Sequence, residues 1–262
     1  MAKEVNLYKI PEILEKAKIL DDSVLDAYND SIQSFNPKAR ETLGKFRKSN
    51  GDLTNSNPFM LIHLQNAGLL PQGARLAIQN NLEMGISNDN TFLSGNYTDF
   101  GYVLRTDGDS YKPNDLLAKR LTTQLKNKGI KLGEGVLIPF LTLGNENNVD
   151  SEYGLIHNLN ERATKETIRD VNEFKWNYTK KDGLVRAHLC RNWGWGSVNG
   201  DLAYSDDSGR VVIVSGGVTS QNFEEMFAQK QELVKEAKQK YFTNIQLIRD
   251  QLDNELKGKN LN

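Results

Sequence analysis

The stretch LVRAHLCRNWGWGSVNGDLAYSDDSGRVVIVS, residues 184–215, decides the fold class. Three short runs in it, 184–190, 202–204 and 211–215, read as strands separated by clusters of Gly, Asn, Asp and Ser. Asp206-Asp207-Ser208-Gly209 has the composition of a hairpin turn. Strands that follow one another with no helix-sized segment between them favour antiparallel pairing over βαβ crossovers. Val211, Val212, Ile213 and Val214 stand in a row, which predicts a central strand buried on both faces.

Outward from that stretch, the middle of the chain, 87–218, alternates strand and helix signals. Strands are expected at 97–105, 135–143 and 155–159. A helix over 115–128, capped by Asn114 and stopped by Gly129, lies between the first two, and 164–176 has helical spacing. The N-terminal region, 1–86, reads as helical. Ile10, Ile13, Leu14, Ala17, Leu20, Val24, Leu25, Tyr28, Ile32 and Phe35 recur at helical intervals, with Asp21 or Asp22 able to cap a second helix inside the run. Asn36-Pro37 and Asn57-Pro58 each pair an N-cap with proline at the first helical position. They predict helices over 37–49, ended by Asn50-Gly51, and 59–67, ended by Gly68. Pro71 opens a further predicted helix, 72–84, stopped by Gly85. In the C-terminal segment, 219–262, the stripe from Phe223 to Leu256 suits one long amphipathic helix with balanced charge on its other face. The expected architecture is α+β: a helical N-terminal region, a central, largely antiparallel sheet with helices, and a long C-terminal helix, in one or two compact units.

Composition narrows the function classes. The 262 residues carry a net charge of −1, which argues against a whole-surface nucleic-acid binder. The single cysteine, Cys190, excludes an internal disulfide and any multi-cysteine zinc cluster. No apolar run of membrane-spanning length and no secretory apolar segment are seen, so a cytoplasmic protein without membrane contact is expected. His63, His157 and His188 lack metal-ligand spacing. Phosphate-loop, dinucleotide-fingerprint and GxSxG patterns are missing, so neither metal nor cofactor is expected.

Three segments carry chemistry of their own. Residues 61–86, LIHLQNAGLLPQGARLAIQNNLEMGI, are similar to the helix-turn-helix core of winged-helix domains, and the resemblance implies that the second helix enters a DNA groove. Arg75 is the one cation on that helix; Lys38, Arg40, Lys45, Arg47 and Lys48 on a neighbouring helix could reach phosphates. Arg186, His188 and Cys190 alternate along a strand and so share a face, opposite Val185, Ala187 and Leu189. A thiol beside imidazole and guanidinium is a candidate nucleophile, though no orienting partner is identifiable. Finally, 191–204 interleaves aromatic and adaptable polar groups with glycine. Asn192, Trp193, Trp195, Asn199, Asp201 and Tyr204 are there the candidate contacts for a protein or glycan ligand. The leading expectation is a non-enzymatic binding or assembly protein using this segment, with self-association through the C-terminal helix as a further option. The alternatives are a DNA-binding regulator using 58–86 and a small enzyme using the Arg186/His188/Cys190 face.

Overall fold

A strand on which every residue is buried, β5 (Tyr97–Thr106), organises the structure. The computed structural model describes residues 16–79, 81–83, 91–173, 177–178, 180–190, 194–197, 200–215, 239–240 and 245; of Lys16, Glu173, Asn177, Tyr178, Cys190 and Gly194–Ser197 it describes the backbone alone. All elements named below belong to one compact unit, Leu14–Gly216. Along one edge, β5 pairs antiparallel with β11 (Leu184–Cys190). Its other edge is shared. The Tyr102–Thr106 half takes β6 (Gly135–Pro139) antiparallel, and the Tyr97 end takes β13 (Gly209–Arg210) parallel. The sheet continues from β13 through β3 (Asp52–Thr54) to β2 (Arg47–Ser49), and from β11 through β12 (Gly194–Ser197) to β10 (Asn177–Tyr178). The short strand β9 (Arg169–Asp170) adds to β6.

Both faces of β5 are buried, although the strand is not uniformly apolar: Thr98, Asp99, Arg105 and Thr106 are buried with its apolar residues. Phe100, Tyr102 and Leu104 pack into one core cluster with Val185, Ala187 and Leu189 of β11, so the alternation expected there is present. Val103 and Leu184 join the other, larger cluster. That cluster includes α3 (Pro58–Asn66), whose residues from Pro58 to Leu64 are all buried, and Leu117, Ala118, Leu121 and Leu125 of α4 (Asp115–Asn127). Both Asn-Pro starts act as read: Asn36 Oδ1 accepts from Ala39 N at 2.9 Å to open α2 (Pro37–Leu43), and Asn57 Oδ1 accepts from Met60 N at 3.0 Å to open α3. A hairpin of β7 (Leu143–Asn147) and β8 (Leu155–Leu159) packs beside these helices. The α+β class is therefore present, with mixed and antiparallel sheets.

Several elements differ from expectation, each for a tertiary reason. Residues 16–19 are not helical. They form β1 (Lys16–Ile19), antiparallel to β14 (Val212–Ser215), which takes β4 (Arg75–Leu76) on its other edge. Strand β14 is thus the buried middle of a three-stranded sheet, as its valine-rich run predicts, and its need for partners overrides the helical spacing of 10–35. Among the described residues of that stripe, α-helix is confined to α1 (Leu25–Ser31), flanked by 3-10 turns. Helix α2 ends at Leu43. Asn50 (φ 53°) and Gly51 (φ 86°) form the two-residue loop of the β2–β3 hairpin, so Asn-Gly here is a hairpin signal and not a helix stop. The helix expected over 72–84 does not form over its first half: a turn closes from Ala74 N to Pro71 O at 2.9 Å, Arg75–Leu76 pairs as strand, and the described residues 79 and 81–83 are helical. The groove-entering helix implied by the helix-turn-helix resemblance is not formed by these residues. Residues 164–168 make turns instead of a helix, the 135–143 run breaks after Pro139 into a 3-10 turn, and 202–204 is a turn and not a strand. The long C-terminal helix lies outside the described residues apart from 239, 240 and 245, which are helical.

Candidate functional site

The strands β5 and β11 bring together four polar side chains that a uniform apolar pairing would exclude. Opposite Arg186 the register runs to Val103; opposite His188 it has already reached Asp99, so β5 carries extra residues at that point. Gly101 sits inside this irregularity at φ 80°, where a Cβ would lie 3.2 Å from Ala77 O; a side chain there would be strained as well as crowded. The irregularity sets Asp99 against Arg186. Arg186 Nε donates to Asp99 Oδ1 at 2.8 Å and Nη2 to Oδ2 at 2.6 Å, a bidentate pair with side chains 1% and 0% exposed. The third contact, Nη1 to Tyr204 O at 2.6 Å, ties the pair to the loop after β12. The guanidinium carbon also stands 5.0 Å from the centre of the Tyr97 ring. Burial alone would lower the Arg186 pKa, but Asp99 and Tyr97 outweigh it and the net shift is upward, so the guanidinium keeps its charge; burial raises the Asp99 carboxyl, against the pull of Arg186.

His188 lies half-buried beside this pair, its ring edge-on to Tyr97 with centroids 6.2 Å apart. Burial, with the Arg186 charge, pulls its pKa down to about 4, so the imidazole is neutral at pH 7. Its Nδ1 is buried without a hydrogen-bond partner among the described residues. Burial raises the Tyr97 hydroxyl to about 12, and the hydroxyl donates to Ser56 O at 3.3 Å. No room is left over it, because a Cβ on Gly209 would lie 2.6 Å from the Tyr97 oxygen.

Above the pair runs the loop that carries Asp201 and Tyr204. Asp201 Oδ1 accepts from Ala203 N at 2.9 Å and faces the Tyr153 hydroxyl at 2.9 Å; that hydroxyl is also 2.7 Å from Asn114 Oδ1. Asn114, expected as the cap of α4, instead donates its amide to Leu184 O at 2.8 Å and to Gly200 O, which fastens the loop to β11. Asp201 is therefore a loop anchor. Tyr204 is different: its side chain is 43% exposed, and its hydroxyl donates to Asp206 Oδ2 at 2.5 Å. Asp206 Oδ1 accepts from Ser208 N at 2.9 Å. Although burial raises its pKa, the bonds from Ser208 and Tyr204 bring the net shift down, so Asp206 is a carboxylate at neutral pH.

Of the sequence candidates, Arg186, His188 and Tyr204 converge here, and Asp201 stands at the foot of the same loop. Cys190 is placed only by its backbone, opposite Tyr97 and Gly194, and Trp195 by its register position opposite Leu189. Asn192, Trp193 and Asn199 lie outside the described residues. Asp99 and Tyr97 were not singled out from sequence. The available signal was a carboxylate, Asp99, inside the strand YTDFGYVLRT and a guanidinium, Arg186, inside LVRAHLC; the other guanidinium, Arg105, is engaged by Ala118 O and Thr122. Among the described residues no group of three or more His, Cys, Asp or Glu could hold a metal ion, and no helix is long and apolar enough to cross a membrane. No family model, curated protein or solved structure matches the chain.

Proposed function

We propose that the protein is a binding or assembly protein without catalytic activity, and that the segment from Asn192 to Tyr204 is its recognition surface for a protein or glycan ligand. The observation that carries this reading is the bond from Arg186 to Tyr204 O. Through it a buried ion pair fixes the backbone beneath an exposed tyrosine, and rigid aromatic groups on a fixed backbone lose little freedom on binding. The same geometry disfavours chemistry by the strand face. Arg186 spends its donors on Asp99 and Tyr204, and His188 takes up a proton only well below neutral pH. Titrating a panel of oligosaccharides against tryptophan emission, on the intact chain and on Tyr204→Ala, tests the reading. Saturable binding that the substitution weakens about tenfold at an unchanged melting temperature supports it. Rapid alkylation of Cys190 near neutral pH, lost on His188→Gln, would favour the enzyme reading instead.

A further inference from the structure

The chain has two Asn-Gly pairs, Asn50-Gly51 and Asn199-Gly200, and the fold treats their glycines in opposite ways. Gly200 is buried, its carbonyl accepts from the Asn114 amide, and a Cβ on it would lie 3.1 Å from Asp182 Oδ2 and from Tyr111 Cβ. Gly51 stands at the tip of the β2–β3 hairpin, where residues 47–51 are all exposed, and a Cβ on it would meet nothing within 4 Å. Its carbonyl accepts from Asp22 N at 2.9 Å. Among the described residues no hydrogen bond holds the Asn50 carboxamide or the Gly51 N–H.

A free carboxamide followed by an open glycine has a chemistry of its own. The Cγ carbon of asparagine is an electrophile, and the next backbone nitrogen can reach it by closing a small ring when no side chain stands in the way and the nitrogen is free to lose its proton. Other asparagines fail one of these conditions. Asn36 and Asn57 precede proline, which has no N–H. Asn55, which shares the positive φ of Asn50, precedes the fully buried Ser56, and its Oδ1 accepts from the Thr54 hydroxyl at 3.2 Å.

We propose that Asn50 is a self-modification site whose co-reactant is water. Gly51 N attacks Asn50 Cγ and gives its proton to water; the Cγ–Nδ2 bond breaks, ammonia leaves, and a succinimide remains. Water then opens the ring. Breaking the bond from Gly51 N to Cγ gives aspartate. Breaking the bond from Gly51 N to the backbone carbonyl carbon of residue 50 gives isoaspartate, whose chain runs through the former side chain. The attack requires Asn50 to leave its closed conformation at φ 53°, and an exposed loop tip opens at little cost. The two products add the same charge but act differently on the hairpin. Asp-Gly suits a two-residue loop as well as Asn-Gly does. Isoaspartate lengthens the backbone between Ser49 and Asp52, whose pairing closes the loop.

Isoelectric focusing and peptide mapping of the folded intact chain, aged in mildly alkaline buffer beside Asn50→Gly, test the proposal; a synthetic peptide of residues 47–53 gives the reference rate. The expected result is a gain of negative charge that maps to residue 50, as aspartate and isoaspartate together, at a rate that rises with pH. Residue 199 should lag about tenfold or more behind it. In Asn50→Gly, whose Gly-Gly loop keeps the hairpin, this acidic species should be lost. The isoaspartate form should melt below Asn50→Asp, which should match the intact chain. Residue 50 unchanged after the reference peptide has converted overturns the proposal. So does equal conversion at residue 199, which would mean that the dipeptide alone decides and the open hairpin contributes nothing.

Discussion

Arg186→Met is the substitution that tests the core of the structural argument. It keeps the length and apolar stem of the side chain but deletes three contacts at once: the two bonds to Asp99 and the bond to Tyr204 O. The Asp99 carboxylate, 0% exposed, is then left with no counter-charge. Breaking a buried pair from one side costs about 3–5 kcal/mol, because an uncompensated charge remains in the interior. That is a large part of the 5–15 kcal/mol typical of a whole domain. With a urea slope of about 2.5 kcal/mol per M, the midpoint should fall by roughly 1.5 M. The pH dependence adds a second, signed expectation. Burial raises Asp99 in the folded state, and without Arg186 only a backbone hydrogen bond opposes it. The folded variant then binds a proton more tightly than the unfolded chain does. Its deficit should be smallest below about pH 4 and should grow as the pH rises through the raised value. The double variant Asp99→Leu/Arg186→Met should recover most of the lost stability, since an apolar pair of similar volume replaces the ions. Urea unfolding of the intact chain, Asp99→Leu, Arg186→Met and the double variant gives the coupling energy directly. Single losses under about 1 kcal/mol that simply add in the double variant would refute the view that this pair is the clamp of β5, β11 and the Tyr204 loop.

Two other imidazole and backbone features give further expectations. His188, with its pKa lowered to about 4, and the fully buried His157, lowered to about 3, both stay neutral in the folded chain while unfolded histidines protonate near 6.5. Stability should therefore be complete above pH 6.5 and fall by about 2 kcal/mol per imidazole between pH 6.5 and 5. His188→Gln should flatten that slope by one proton in a series of unfolding curves; an unchanged slope would contradict it. Gly154→Ala should cost far more than Gly51→Ala. Both have positive φ, 67° and 86°, but a Cβ on Gly154 would lie 2.2 Å from Ala39 N, whereas Gly51 has open space. Melting temperatures should separate the two by more than the roughly 1 kcal/mol of backbone strain they share. Ile213→Asp, at the buried centre of β14, should abolish soluble folding; a soluble variant with a cooperative melt would show that β14 is not where the core closes.

What could be read from sequence follows the range of the forces involved. Caps and strong runs are local, and they were legible: Asn36-Pro37, Asn57-Pro58, β5, β8, β11, α4 and the central strand β14. Elements whose form depends on a distant partner were not. Residues 16–19 and 75–76 are too short to announce themselves, and each is a strand only because β14 has two edges to fill. Asn50-Gly51 fits a helix stop and a hairpin loop equally well; the choice falls to the hairpin because β3 has β13 waiting on its far side.

The site shows the same division. Alternation placed Arg186 and His188 on one face of β11 and the apolar residues on the other, but alternation says nothing about what lies across the sheet. The missing orienting partner of Arg186 was Asp99, distant in sequence and brought into range by an irregularity in β5 that period-two reasoning does not anticipate. Once that partner is known, the meaning of the arginine changes. An unpaired guanidinium on a strand face would suggest a catalytic or anion-binding group, whereas one buried and bonded to a carboxylate and a loop carbonyl is a clamp. The group that the clamp then presents at the loop surface is Tyr204, whose backbone carbonyl it holds while the ring stays exposed.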